Sequence, residues 1–214
     1  MSFEVYDYRT DLRNVVITPE IRSRFLKFEP GTGGSRHSHD LGHEVFLVLE
    51  GQAEFEIDGD KQILGPGQMC VAYADQMHEV RCVGDQPITM YLSVTPHLEP
   101  THTQWDAAGN KLAPRYGGST RQERAGQPKP TDPVEEVVDR HVAAAETLAE
   151  VAVANAKAQE AGAVALKQAL AASDAAGAKA AVDAMWAKVY LAYKCLQAME
   201  LAWNELAPRA TETP

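Results

Sequence analysis

The residues best suited to chemistry lie between Gly31 and Gly51, in the segment GTGGSRHSHDLGHEVFLVLEG. His37 and His39 are separated by one residue, so on an extended strand both imidazoles project from the same face. Glu44 follows at the start of the apolar run EVFLVLEG. Two imidazoles and a carboxylate that converge from adjacent strands can bind a divalent transition metal and leave coordination positions open. The pattern therefore predicts a reactive metal site rather than a closed structural one.

A second segment, GDKQILGPGQMCVAYADQMHEV, carries a Gly-Pro-Gly turn, a short apolar run and then His78. Together the two segments resemble the cupin superfamily. The first motif of that family is usually written G-x5-H-x-H-x3,4-E-x6-G. It is filled without a gap by the following residues: Gly31, His37, His39, Glu44 and Gly51.

The second cupin motif, usually written G-x5-P-x-G-x2-H-x3-N, fits more loosely. Gly59 begins it, and Pro66 lies one residue late. The resemblance covers roughly residues 20 to 97. It implies a small jelly-roll barrel, or double-stranded β-helix, with one divalent transition metal (Fe, Mn, Ni, Cu or Zn) inside. The ligands that it implies are His37, His39, Glu44 and His78.

Three further residues are candidates for acid or base catalysis, namely Tyr91, His97 and His102. The two histidines follow the last predicted strand and could reach the mouth of the barrel. His43 is interpreted differently, because it precedes Glu44 and so points to the opposite face of the strand, away from the ligands.

Strand alternation also predicts the side chains around the metal. Phe46 and Val48 share the inward face of Glu44, and Val80 shares that of His78, so these three are candidate substrate-binding residues. The cavity should then be mainly apolar, with few ionisable groups beyond the ligands. Such a cavity favours a modest organic substrate over a phosphorylated or highly charged one.

Composition excludes several classes of partner. The net charge of −10 argues against nucleic acid and gives no reason to expect binding to anionic membranes. Three scattered cysteines are too few for a disulfide framework. The charged start of the chain and the lack of an apolar run of about 20 residues predict a soluble, cytoplasmic protein.

The distribution of turn residues and of hydrophobic periodicity divides the chain into three predicted regions. Residues 1–100 hold short runs rich in Val, Ile, Phe and Tyr between Gly, Pro and Asp turns, which predicts an all-β jelly-roll barrel. The pair Asp58-Gly59 predicts a hairpin between QAEFEI and KQIL. Residues 101–132 are rich in Gly, Pro and charge and are interpreted as an irregular linker, which either covers the barrel or moves freely.

Residues 133–208 are predicted to form an antiparallel helical hairpin. Asp132 would cap the first helix with Pro133 at its first position, and the Ala-rich chain runs to about Ala172. Gly177 is the most plausible bend, and the second helix would end at Leu206, before Pro208.

The second helix carries more apolar surface than a lone hairpin can bury. A heptad stripe from Val182 to Leu206 is flanked by Trp186, Tyr190 and Tyr193. This favours a homodimer through the helices over packing on the chain's own barrel.

Three functions are compatible with these patterns. The first is a dioxygenase-type oxidoreductase acting on a small organic substrate that chelates the metal. The second is a non-redox isomerase, lyase or cyclase, and the third is a cupin that binds or senses a small molecule without catalysis. The lack of a clear second base in the predicted cavity favours the oxidoreductase, since metal-centred redox chemistry needs fewer protein groups.

Overall fold

A computed structural model describes residues 3–117 and 130–211 of the chain. Its first part contains eight strands within those residues: β1 (Asn14–Ile17), β2 (Arg22–Phe28), β3 (His43–Glu50), β4 (Gln52–Ile57), β5 (Asp60–Leu64), β6 (Met69–Ala72), β7 (His78–Val83) and β8 (Ile88–Thr95). They form one sheet in the order β1-β2-β8-β3-β6 and a second in the order β5-β4-β7. All of these pairings are antiparallel, and the predicted all-β jelly-roll class is confirmed.

The inner faces of the strands carry both the core and the candidate ligands. In β3 the buried positions are Glu44, Phe46 and Val48, and β7 buries His78 and Val80 in the same alternating way. Aromatic and branched side chains from both sheets fill the space below the ligands, with Val48, Ile88 and Met90 fully buried. The site therefore lies above a packed apolar core that fixes the strands carrying it.

Two turns show why the chain folds back where it does. Asp58 and Gly59 have φ angles of 49° and 90°, as a two-residue hairpin turn of the primed type requires, and they join β4 to β5 as predicted. Gly51 has φ +75°, and a Cβ built there would lie 2.4 Å from the carbonyl oxygen of Pro87. Only glycine fits that position, which explains the last residue of the first motif.

The second part of the chain contains two long helices, α1 (Val134–Ala171) and α2 (Ala175–Thr211). Arg140 near the start of α1 lies 2.9 Å from Glu205 near the end of α2, so the helices are antiparallel. In the half of the hairpin nearer to its turn, Gly162 faces Met185, whose Cγ would lie 2.3 Å from a Cβ at that glycine. The predicted helical hairpin is confirmed, and a small residue allows the close approach of its helices.

The predicted ends of the helices are wrong in three places. The N-cap position of α1 is Pro133, without a side-chain cap, because the Asp132 carboxylate accepts a hydrogen bond from Arg140 instead. The chain reverses at Ser173, with φ 55°, and Gly177 lies inside α2, where its N–H donates to Asp174. Asp174 therefore caps α2, and the helix continues through Pro208 to Thr211.

Two compact units divide the chain. The first comprises Met1–Pro130 with Ala207–Pro214, and the second comprises Thr131–Leu206. Residues 118–129 of the predicted linker lie outside the described residues. Neither of the two described helices has an apolar stretch long enough to cross a membrane.

Candidate metal centre

Four side chains that the sequence singled out come together inside the barrel. One donor atom each from His37, His39, Glu44 and His78 lies within 4.8 Å of the others, so the cluster could hold a metal ion. Glu44 is the second residue of β3 and His78 the first of β7, while His37 lies just before β3 and pairs with His78 through an isolated bridge. The backbone pairing brings residues that are far apart in sequence to one point.

Each of the three imidazoles is held by a hydrogen bond from its Nδ1 to a backbone carbonyl. Nδ1 of His37 donates to the oxygen of Ser35 at 2.7 Å, and Nδ1 of His78 donates to the oxygen of Gln76 at 2.9 Å. Nδ1 of His39 donates to the oxygen of Thr101. Because a carbonyl can only accept, each Nδ1 carries a proton, and Nε2 is the nitrogen of each ring that is left to bind a metal. Metal-binding histidines are fixed in this way.

All three Nε2 atoms point at one carboxylate oxygen. Nε2 of His39 and of His78 lie 2.9 Å from Oε2 of Glu44, and Nε2 of His37 lies 3.7 Å from it. Among the described residues, Nε2 of His37 is buried without a hydrogen-bond partner. Three Nε2 atoms and a carboxylate oxygen placed this closely form a donor set that fits a divalent transition metal.

The charge of Glu44 suits that role. Burial by itself would raise the pKa of the Glu44 carboxyl, but the surrounding imidazoles outweigh burial and hold it well below its usual range. The buried guanidinium of Arg22 lies further off, with Nη2 3.9 Å from Oε1 of Glu44. The carboxylate is therefore ionised at neutral pH and available to a cation.

A cavity of about 90 Å³ opens beside the cluster. Its apolar wall comes from Leu26, Phe28, Phe46, Val80 and Leu92, and its polar wall from Arg22, Arg24, His37, Glu44, His78, Glu79 and His102. The expectation of few ionisable groups beyond the ligands is thus wrong. Arg22 and Arg24 occupy alternate positions of β2 and so face the same side as Leu26 and Phe28. The alternation of side chains in RSRFLKF would have revealed both arginines if inward and outward positions had been assigned to β2 as they were to the strands that carry the motifs.

The predicted substrate-binding residues divide between the cavity and the core. Phe46 and Val80 line the cavity, whereas Val48 is fully buried in the apolar core and does not belong to the described lining. Contact of these side chains with a substrate stays a prediction.

The three predicted acid or base residues are separated by the fold. The Tyr91 hydroxyl pairs with Ser23 at 2.9 Å on the other side of β8 from the cavity-lining Leu92. His97 is buried next to the Thr101 hydroxyl, 3.3 Å from its Nδ1, and burial lowers its pKa to about 4. His102 alone of the three lines the cavity.

The His102 ring lies directly against the ligand cluster. Its centroid is 4.7 Å from that of His37 and 5.0 Å from that of His39. Burial lowers the pKa of His102 to about 2, so the ring is neutral. His43, in contrast, is exposed, and its Nδ1 accepts the Ala74 N–H at 2.9 Å, on the face away from the ligands as predicted.

The sequence left open whether residues 101–132 cover the barrel, and the segment Thr101–Trp105, here called the covering segment, lies against it. It pairs with the ligand strand through two hydrogen bonds of 3.1 and 2.8 Å between the backbones of Ser38 and Thr103. The Trp105 indole N–H donates to the Ser38 hydroxyl at 3.0 Å. Ser38, on the outer side of the ligand pair, is thereby fully buried. No periodicity marks this segment, and the signal that it carries lies in its Thr and Trp side chains.

Comparison with known proteins gives partial matches. Residues 24–95 match the family described as Cupin domain. Polyketide synthase CurC from Streptomyces cyaneus is 31% identical over 91 residues, which are 40% of this chain and 59% of that protein. Pectin degradation protein KdgF from Dickeya dadantii is 34% identical over 55 residues, 26% of this chain and 50% of that protein. The chain thus spans between half and three fifths of the length of these relatives.

Solved structures are similar over part of the chain. KdgF from Halomonas is 28% identical, with 39% of this chain and 76% of that chain covered and a TM-score of 0.36. An uncharacterised Klebsiella pneumoniae protein with a double-stranded β-helix domain is 21% identical, covers 44% and 91%, and has a TM-score of 0.42.

Proposed function

Because residues 24–95 are a cupin domain, we propose that this protein is a metal-dependent enzyme acting on a small organic substrate that chelates the metal. The proposed ligands are His37, His39, Glu44 and His78. The observation that carries the proposal is the convergence of three Nε2 lone pairs and one carboxylate beside a buried cavity. A divalent transition metal bound there would polarise a substrate oxygen or exchange electrons with it.

The side chains around the ligands support turnover rather than a structural metal. The fixed Nδ1 hydrogen bonds keep the imidazoles in place without help from the metal. Phe46 and Val80 belong to the apolar wall of the cavity. Electrostatic interactions beside such a wall are stronger than in water, which favours catalysis on a bound substrate.

We favour a non-redox reaction of the isomerase, lyase or cyclase type. The preference for redox chemistry depended on a cavity without a second base, and His102 lies in that cavity against the ligands. Because burial keeps this imidazole neutral, it can hydrogen-bond a substrate hydroxyl or carbonyl and orient it beside the ligands. The curated relatives are described by polyketide synthesis and pectin degradation, and neither description names an oxidation.

A dioxygenase-type oxidoreductase is the second candidate. Three imidazoles and one carboxylate suit Fe, Mn, Ni and Cu as well as Zn, and the first four of these can change oxidation state. The donor set is the observation that favours this candidate.

Oxygen dependence separates the two reactions. Full-length protein loaded with Fe²⁺, Mn²⁺ or Zn²⁺ would be incubated with small 2-hydroxy and 2-oxo acids, with and without oxygen, and followed by NMR and an oxygen electrode. We expect conversion, or exchange of substrate protons with solvent deuterium, at equal rates without oxygen, and its loss in His102→Ala. Conversion that consumes oxygen would establish the dioxygenase-type reaction instead. Protein that binds none of these metals would refute the metal site itself.

A further inference from the structure

The hairpin turn between β4 and β5 contacts the loop that leads into His78. Asp58, the first residue of that turn, exchanges two hydrogen bonds with Met77. Oδ1 of Asp58 accepts the Met77 N–H at 2.9 Å, and the Asp58 N–H donates to the Met77 oxygen at 2.8 Å. Oδ2 of the same carboxylate accepts a hydrogen bond of 3.0 Å from the side-chain amide of Gln76. Both carboxylate oxygens of Asp58 are therefore engaged by the two residues that precede His78.

The peptide unit between Gln76 and Met77 connects Asp58 to the candidate metal centre. Its N–H, which belongs to Met77, donates to the Asp58 carboxylate. Its C=O, which belongs to Gln76, accepts the hydrogen bond of 2.9 Å from Nδ1 of His78. Because a peptide unit is planar, a contact that fixes its N–H also fixes the direction of its C=O. One rigid unit thus joins a carboxylate to the imidazole of a candidate ligand.

The side chain of Gln76 holds the same loop from a second side. Its Oε1 accepts the Tyr73 N–H at 2.9 Å while its Nε2 donates to Asp58, and the Gln76 N–H donates to the Tyr73 oxygen at 3.0 Å. A backbone N–H can only donate and a carboxylate accepts, so these two partners determine the orientation of the amide. The loop is therefore fixed where it enters β7 at His78.

The contact of Asp58 with this peptide affects the strength of Nε2 of His78 as a donor. A hydrogen bond from a peptide N–H to a carboxylate makes the oxygen of that peptide more negative, since bonds in a chain strengthen one another by about 10–30%. The Nδ1 hydrogen bond of His78 is strengthened in turn, which raises the basicity of the ring, as a carboxylate bonded directly to a metal-binding histidine does. Nε2 of His78, 2.9 Å from Oε2 of Glu44, becomes a better metal ligand.

The turn by itself does not require an aspartate at this position. Asn-Gly and Gly-Gly suit a hairpin turn of this type as well as Asp-Gly does. We propose that Asp58 is a positioning residue of the metal centre, which acts through the Gln76–Met77 peptide to orient His78 and to increase its affinity for a divalent transition metal. The inference rests on the proposed function, since it assumes a metal on the four ligands.

Asp58→Asn in the zinc-loaded full chain tests this role, because it keeps the turn and an acceptor for the backbone N–H but removes the negative charge. NMR of isotope-labelled protein measures the Nδ1 proton of each ligand histidine. We expect the proton of His78 to shift upfield while those of His37 and His39 stay in place. Zinc affinity, measured by competition with a chelator, should fall by about tenfold. Asp60→Asn is the matched control, since it removes a negative charge from an exposed position of the same hairpin and should change neither quantity.

A second variant, Asp58→Gly, also suits the turn and removes the carboxylate altogether, so it should produce the same changes. A His78 proton that does not shift in either variant would overturn the role of Asp58, whatever the zinc affinity. Equal shifts for all three histidine protons would also overturn it, because they would indicate a general effect of the turn on the barrel. Wild-type protein that binds no zinc would instead refute the proposed function.

Discussion

At the residue scale, the hydrogen bonds on Nδ1 of the three histidines decide what their Nε2 atoms can bind. Ser35, Gln76 and Thr101 each supply a backbone carbonyl, so these contacts do not depend on a side chain that a substitution could remove. The ligand geometry is therefore part of the main-chain fold, and the side chains of His37, His39 and His78 are free to act as donors.

Substitution of one ligand should separate metal binding from folding. His39→Ala removes one of the two Nε2 atoms that lie 2.9 Å from Glu44, and we expect stoichiometric metal to be lost while the fold is kept. Metal content would be measured by elemental analysis and the fold by circular dichroism. His43→Ala is the matched control, since this exposed histidine lies on the other face of β3. Stoichiometric metal in His39→Ala would contradict the ligand assignment.

At the element scale, the site depends on strands with a clear period and on a segment without one. The inward-facing residues of β3 and β7 were predictable, because each strand begins with or near a ligand. Burial then alternates along each strand from Glu44 or His78. The hairpin at Asp58-Gly59 was predictable from turn chemistry. The position of the covering segment was not predictable, because it depends on hydrogen bonds to Ser38, a residue that is distant in sequence.

The same distinction applies to the cavity and the helix ends. Placing Arg22 and Arg24 at the cavity required knowing which side chains of β2 face inward, and no motif residue lies in that strand to show it. The end of α2 depended on whether the chain tolerates Pro208 inside a helix, and local preference alone predicts the opposite. Long, strongly periodic elements were thus predictable, while groups placed by tertiary contacts were not.

Loosening the covering segment should weaken metal binding. Trp105→Phe keeps an aromatic ring but removes the indole N–H that donates to the Ser38 hydroxyl, between the ligands His37 and His39. We expect metal affinity to fall by about tenfold, as for other groups that orient ligands, when measured by competition with a chelator. Leu112→Ala, an exposed position just beyond the segment, should leave the affinity unchanged. Equal affinities for both variants would show that the segment does not orient the ligands.

At the scale of the whole molecule, the helical hairpin leaves a broad apolar face uncovered in the single chain. Val182, Trp186, Val189, Tyr190 and Tyr193 are exposed along successive turns of α2, with Trp186 62% exposed. Isolated apolar residues are ordinary on protein surfaces, but a contiguous aromatic strip marks an interface. The predicted homodimer through the helices stays a prediction, and this strip is the surface that we propose for it.

Charge placed on that strip should prevent association. We expect the wild-type chain to be a dimer at micromolar concentration and the double variant Trp186→Glu/Tyr190→Glu to be a monomer, as measured by analytical ultracentrifugation. Burying a charge in an apolar interface has a high free-energy cost, whereas a charge exposed to water has almost none. The monomer should therefore still fold. Val164→Glu, at an exposed apolar position of α1, is the control for added charge. A monomeric wild-type chain would reject the dimer.

The Thr101 carbonyl that accepts the hydrogen bond from Nδ1 of His39 lies beyond residue 95, where the match to the cupin family ends. A barrel excised at that boundary would keep every ligand, yet the His39 ring would be untethered and its proton could migrate to Nε2. The smallest fragment that keeps this metal centre intact therefore extends past the barrel and includes the chain through Trp105.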